Sequence, residues 1–144
     1  MNYRILAIGK PKLGYAAEGV REYDRRLQRH ASLDLDYLKS TSGSQVLLKR
    51  SEGTFRIALD ERGDVLTSEE FARYLTGLEE GGDLKTVTFL IGGADGHDSA
   101  LRDGCDRVLS LSALTMQHEL ALVVLLEQLY RASTIKRGEP YHRS

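Results

Sequence analysis

The sequence has one cysteine, Cys105, among 144 residues. No internal disulfide can staple the fold, and such a chain suits a reducing compartment. Its longest apolar run is residues 120–126, far short of the ~20 residues that cross a bilayer. The opening MNYRILAIGK holds too few apolar residues for the hydrophobic segment of a secretory signal. We therefore expect a cytoplasmic protein with no membrane partner. Nor is there an excess of one charge, because 20 Lys and Arg face 21 Asp and Glu. That balance excludes generic nucleic-acid binding through phosphate neutralisation, so any RNA contact must be local and shape-dependent. GxGxxG is absent, and Gly9-Lys10-Pro11-Lys12-Leu13-Gly14 is followed by Tyr15 where a P-loop needs Lys. The usual NAD and NTP fingerprints are thus missing. Asp95, His97 and Asp98 lie close in sequence, but no other His or Cys cluster completes a coordination sphere, and no metal is expected.

What is present fits one domain spanning residues 1–144. Apolar residues make up 41 % and charged residues 28 %, a globular balance. A chain of this length buries roughly two-thirds of its unfolded surface in a single core. Residues 1–50 carry ten basic against five acidic side chains, residues 51–106 five against thirteen, and residues 107–144 five against three. Basic charge is therefore concentrated at both ends.

Short β-rich runs alternate with helical stretches. Residues 3–9, 33–38, 55–60, 87–91 and 107–111 read as strands. The fourth (VTFLI) is the continuous apolar run of a strand buried in a parallel sheet. Helical spacing covers 13–29, with shorter pieces at 45–50 and 99–105 and a long last helix over 117–135. Thr67, three residues before Glu70, is a capping-box signature for a helix that Gly81 and Gly82 end. Glu61-Arg62-Gly63-Asp64 reads as a turn closing the third strand. The pattern predicts an α/β fold with a mainly parallel sheet flanked by helices. Residues 120–126 are apolar all round, so the last helix should be covered on one side by its own domain and on the other by a second subunit, most simply in a C2 homodimer.

Three segments can carry chemistry. In residues 89–96 (FLIGGADG) a buried strand ends in Gly92 and Gly93, where a ligand can approach the main chain beyond a strand's carboxyl end. A plain strand-to-helix turn is the alternative. Residues 109–120 (LSLSALTMQHEL) offer main-chain groups and hydroxyls on an irregular path, as suits an adenine edge. A simple helix entry capped by Thr115 is the other reading. The tail 130–144 (YRASTIKRGEPYHRS) interleaves basic and aromatic side chains that can grip phosphate and stack on a base. Pro140 predicts a directed arm leaving the helix, and a frayed polar terminus is the alternative. Cys105 reads as a small core residue and His30 as the solvated end of a basic helix.

Taken in order, FLIGGADG, LSLSALTMQHEL and LYRASTIKRGEPYHR resemble the RlmH-type large-subunit ribosomal RNA methyltransferases of the SPOUT class. The likeness runs along the whole chain, including YRILAIGK and IALDERG. It implies a C-terminal trefoil knot, S-adenosyl-L-methionine as cofactor, and methylation of N3 of a pseudouridine in 23S rRNA, within the large subunit or assembled ribosome, by a homodimer. It places the cofactor at Leu59, Gly92, Gly93, Leu111, Ser112, Ala113, Leu114, Thr115 and Met116. An imide N3 must lose a proton, so His142 and His118 are candidate bases, with Arg143 and Arg131 as anion-stabilising or phosphate-contacting groups. Tyr141 offers a stacking face, and Lys136 and Arg137 further RNA contacts. The chain departs from the family in carrying Ala94 and Gln117 where prolines are usual, and in a shortened segment 39–54. A non-catalytic RNA- or ribosome-docking module is the rival reading, which binding of S-adenosylmethionine would separate.

Overall fold

The computed structural model describes residues 1–143. In chain order it contains β1 (Asn2–Ile8), α1 (Gly14–Leu27), β2 (Ser32–Leu38), α2 (Ser44–Arg50), β3 (Phe55–Val65), α3 (Ser68–Glu80), β4 (Thr86–Ile91), α4 (Ser99–Asp103), β5 (Arg107–Ser110) and α5 (His118–Arg137). One sheet takes the strands in the order β2-β1-β4-β3-β5, and every neighbouring pair is parallel. The period-two alternation of side chains decides the layers. Ile5, Ile57, Val87 and Phe89 turn to one face, where they meet Val20, Phe71, Leu75, Leu122 and Leu126 from α1, α3 and α5. Leu6, Ala58 and Leu90 turn to the other, where Leu47 and Leu101 of α2 and α4 cover them. The central β4 is covered on both faces, so Val87 to Ile91 are all buried, and the buried Thr88 hydroxyl shares a 2.7 Å hydrogen bond with that of Thr54.

The capping box forms as expected. Thr67 Oγ1 accepts from the Glu70 N–H, and Glu70 returns a carboxylate oxygen to the Thr67 N–H. Helix α5 is capped differently from expectation. Gln117 Oε1 accepts the N–H groups of Glu119 and Leu120 at 2.9 and 3.0 Å, a task the family's usual proline has no side chain for. Thr115 instead donates its hydroxyl to Glu61 at 2.9 Å. The shortened segment 39–54 still forms α2, whose Leu47 is buried in the smaller core.

Three expectations need correction. Strand β3 does not stop at Asp60, because Asp64 and Val65 pair with Leu109 and Ser110 of β5 after an irregularity that follows Leu59. Gly63 lies hard against β5 here, since a Cβ would stand 2.6 Å from the carbonyl carbons of Val108 and Leu109. Turn-like composition was overridden by a strand partner distant in sequence. Helix α5 runs to Arg137, and Gly138 ends it in the left-handed region at φ +70°. The tail then folds back onto its own chain instead of leaving as an arm. His30 is half-buried, with its ring 5.8 Å from that of Tyr130. Cys105 packs half-buried against the smaller core, where burial raises its thiol pKa. No helix among the described residues is long and apolar enough to cross a membrane.

Candidate active site

A cleft of about 380 Å³ opens at the carboxyl ends of β3, β4 and β5, where ligands bind in open α/β sheets. The structure gathers there most of the residues expected at the cofactor: Leu59, Gly92, Gly93, Leu111, Ser112, Leu114, Thr115 and Met116. Ala113 is exposed and does not line the cleft. His118 borders it from the first turn of α5. Reading by motif missed Asp60, Glu61, Arg62 and Asp95, which also line it. Three of these directly follow Leu59, so applying the strand-end rule to β3 as well as β4 would have found them.

Local hydrogen bonding shapes each wall. Ser110 Oγ donates to the Ser112 carbonyl at 2.7 Å, and Ser112 Oγ accepts the Leu114 N–H at 2.9 Å. Short side chains thus hold the irregular path 110–116. On the facing wall, a Cβ on Gly92 would lie 2.9 Å from the Gly96 carbonyl carbon. The loop also closes through a Gly96 N–H to Gly93 carbonyl bond of 3.0 Å. His97, 7 % exposed, anchors this loop by donating Nε2–H to the Leu90 carbonyl at 2.8 Å. Burial holds its pKa below the ordinary histidine value. Arg102 donates to the His97 carbonyl at 2.7 Å and pairs with the buried Asp60 carboxylate at 3.6 Å. Asp60, Glu61 and Asp95 outnumber Arg62, so the lining is anionic.

The tail residues gather elsewhere. Tyr141 donates its hydroxyl to Glu127 at 2.9 Å, and its ring lies 4.8 Å from that of Tyr130. Burial, with the nearby Tyr23 and Glu127, raises the Tyr141 pKa. Arg131 pairs with Glu127 at 2.6 Å and donates to His142 Nδ1 at 3.0 Å. The other ring nitrogen, Nε2, lies 2.9 Å from Glu69. Glu127 is nine residues beyond His118, roughly 13 Å along α5, so Tyr141 and His142 stand apart from their own chain's cleft. Lys136 pairs with Glu79, while Arg137 and Arg143 are exposed.

A family model described as "Predicted SPOUT methyltransferase" matches residues 1–142. The chain belongs to the SPOUT methyltransferase family. A relative from Thermus thermophilus, named Ribosomal RNA large subunit methyltransferase H, is 50 % identical over 143 residues, covering 99 % of each chain. One of the same name from Deinococcus radiodurans is 40 % identical over 146 residues, again covering 99 % of each. Among solved structures, a putative methyltransferase from Legionella pneumophila in complex with the bound cofactor SAM superposes with a TM-score of 0.52, shares 10 % of residues, and covers 92 % of this chain and 66 % of that one. This last likeness carries the SPOUT fold alone.

Proposed function

We propose that this SPOUT chain, as one domain over residues 1–144, transfers a methyl group from S-adenosyl-L-methionine to N3 of a pseudouridine in 23S rRNA. The observation that carries the reading is the full-length identity with proteins named Ribosomal RNA large subunit methyltransferase H. The cleft fits the donor. Its walls are main-chain-rich loops, its volume of about 380 Å³ is that of a small-molecule site, and its anionic lining favours a cation. The bound donor supplies an electrophilic methyl on a positively charged sulfur. In the transfer a carbon–sulfur bond breaks, a carbon–N3 bond forms, and the imide proton leaves to a base. The chain's own work is then to align N3 and to hold or remove that proton.

A homodimer completes this reading. Leu13, Tyr15, Leu114 and Leu120 are 41 %, 57 %, 79 % and 36 % exposed, and they cluster by sequence at the starts of α1 and α5. Covering them with a second copy favours a shared site, in which one protomer's Tyr141, His142 and Arg143 serve the cleft that the partner's loops form. His118 already borders the cleft, so it is the base available without the partner. Arg131, Lys136 and Arg137 would hold RNA phosphates. The family's trefoil knot belongs to the same reading. The substrate would be met in the cytoplasm, as a large subunit or an assembled ribosome.

The test is methylation in vitro. Ribosomes from cells lacking this protein are incubated with it and the methyl donor, and the 23S rRNA is digested for mass spectrometry. A gain of one methyl on a pseudouridine is expected, and an unmodified digest would reject the reading. Sedimentation showing a monomer at micromolar concentration would reject the dimer.

A further inference from the structure

The opposite end of the sheet holds a second cleft, also of about 380 Å³, which methyl transfer does not use. It lies beside the amino end of β1, between the carboxyl-terminal turns of α3 and α5. Its lining includes the buried apolar side chains of Ala72, Leu75 and Ala132, which offer an apolar surface to a ring. At its edge stands His30. Its Nδ1 is the one buried side-chain nitrogen or oxygen among the described residues without a hydrogen-bond partner. Folded proteins rarely leave such an atom unpaired. Tyr3 borders the same space, and burial together with the Glu79 charge pushes its pKa up to about 12, so the hydroxyl keeps its proton and can donate. The rim carries Lys136, tied to Glu79, and the exposed Arg137.

An apolar lining, polar groups at its edge and guanidinium and ammonium groups on its rim match the three parts of a nucleotide: base face, base edge and phosphate. We propose that this cleft binds one unpaired nucleotide of the RNA substrate, remote from the base that is methylated. The proposal rests on the RNA-methyltransferase reading for the source of that nucleotide. It gives the enzyme a second point of register on its substrate, at the far end of the sheet from the chemistry.

The full chain, isotope-labelled and with its first cleft saturated by S-adenosylhomocysteine, is titrated with the four nucleoside 5′-monophosphates while amide shifts are followed by NMR. Shifts at Ala31, Thr76 and Ser133 are expected. Inorganic phosphate alone should move Arg137 but leave Ala31 in place. Thr76→Leu, which fills the cleft from a helix that tolerates leucine, should abolish the nucleotide shifts. It should also raise KM for ribosomes about tenfold, the loss of one stacked base, with kcat and donor affinity kept. Ala31→Leu tests the opposite wall and should act alike. Shifts confined to the first cleft, equal responses to phosphate and nucleotides, or an unchanged KM in both variants would overturn the proposal. A wild-type chain that binds nucleotides here but transfers no methyl would leave this cleft standing and defeat the functional reading instead.

Discussion

Gly92 and Gly93 are neighbours in sequence, yet alanine at each should do different things. At Gly92 a new Cβ would meet backbone, the Gly96 carbonyl carbon at 2.9 Å and its oxygen at 3.0 Å. Neither can swing aside, so the loop must shift, and overpacking of this kind costs about 1–3 kcal/mol. Loss of glycine's freedom in the unfolded chain returns about 0.4–1 kcal/mol. A net cost of about 1–2 kcal/mol lowers Tm by about 3–6 °C in a chain of this size. At Gly93 the nearest atom is a side-chain methyl, Ile8 Cγ2 at 3.3 Å, which can yield a few tenths of an ångström. Gly93→Ala should therefore melt within about 1 °C of wild type. On the proposed placement of the donor at Gly93, it should nonetheless weaken S-adenosylmethionine at least about tenfold, about 1.4 kcal/mol, and Gly93→Val should block it. Thermal melts and calorimetric titration on the same samples separate the two effects. A folded Gly93→Val variant with wild-type affinity would refute the placement of the cofactor. An unchanged Tm in Gly92→Ala would refute the close seating of Gly92 on Gly96.

A chain ending at Gly138 loses the Tyr141–Glu127 and His142–Glu69 contacts but keeps α5. It should fold, dimerise and bind S-adenosylmethionine yet fail to methylate ribosomes, and normal turnover would remove His142 from the candidate bases. Thr67→Ala breaks the capping box of α3 and should cost about 1 kcal/mol, read as a lower denaturation midpoint with unchanged donor affinity. His97 is held below the ordinary value of 6.5 by burial. The unfolded chain thus binds its proton first, and stability present above about pH 6.5 should fall as pH drops below it. His97→Gln, which can still donate to the Leu90 carbonyl, should flatten that decline across denaturant titrations from pH 7 to 5.

The elements legible in the sequence are those whose causes are local. Thr67 and Glu70 cap α3 within one turn, and the apolar run in β4 records burial on both faces. The cleft was legible where glycines mark it. Asp60, Glu61 and Arg62 were legible only through their place after Leu59, at the carboxyl end of a strand, because their charged, turn-like string does not by itself mark a cleft wall. The fold-back of the tail was hidden. Pro140 predicts a change of direction, but the direction is decided by Glu127 and Glu69, 14 and 73 residues away from their partners.

Strand β4 lies between β1 and β3 in the sheet but follows both in the chain. As the polypeptide leaves the ribosome, β1 can pair with β2 early, while the slot between β1 and β3 must wait for residues 86–91. The long separations between partners make this a slow-forming sheet. The walls of the candidate cleft wait longer still, since one of them follows β5 and leads into α5. A partly made chain therefore lacks one wall of this cleft until β5 and the start of α5 have been made.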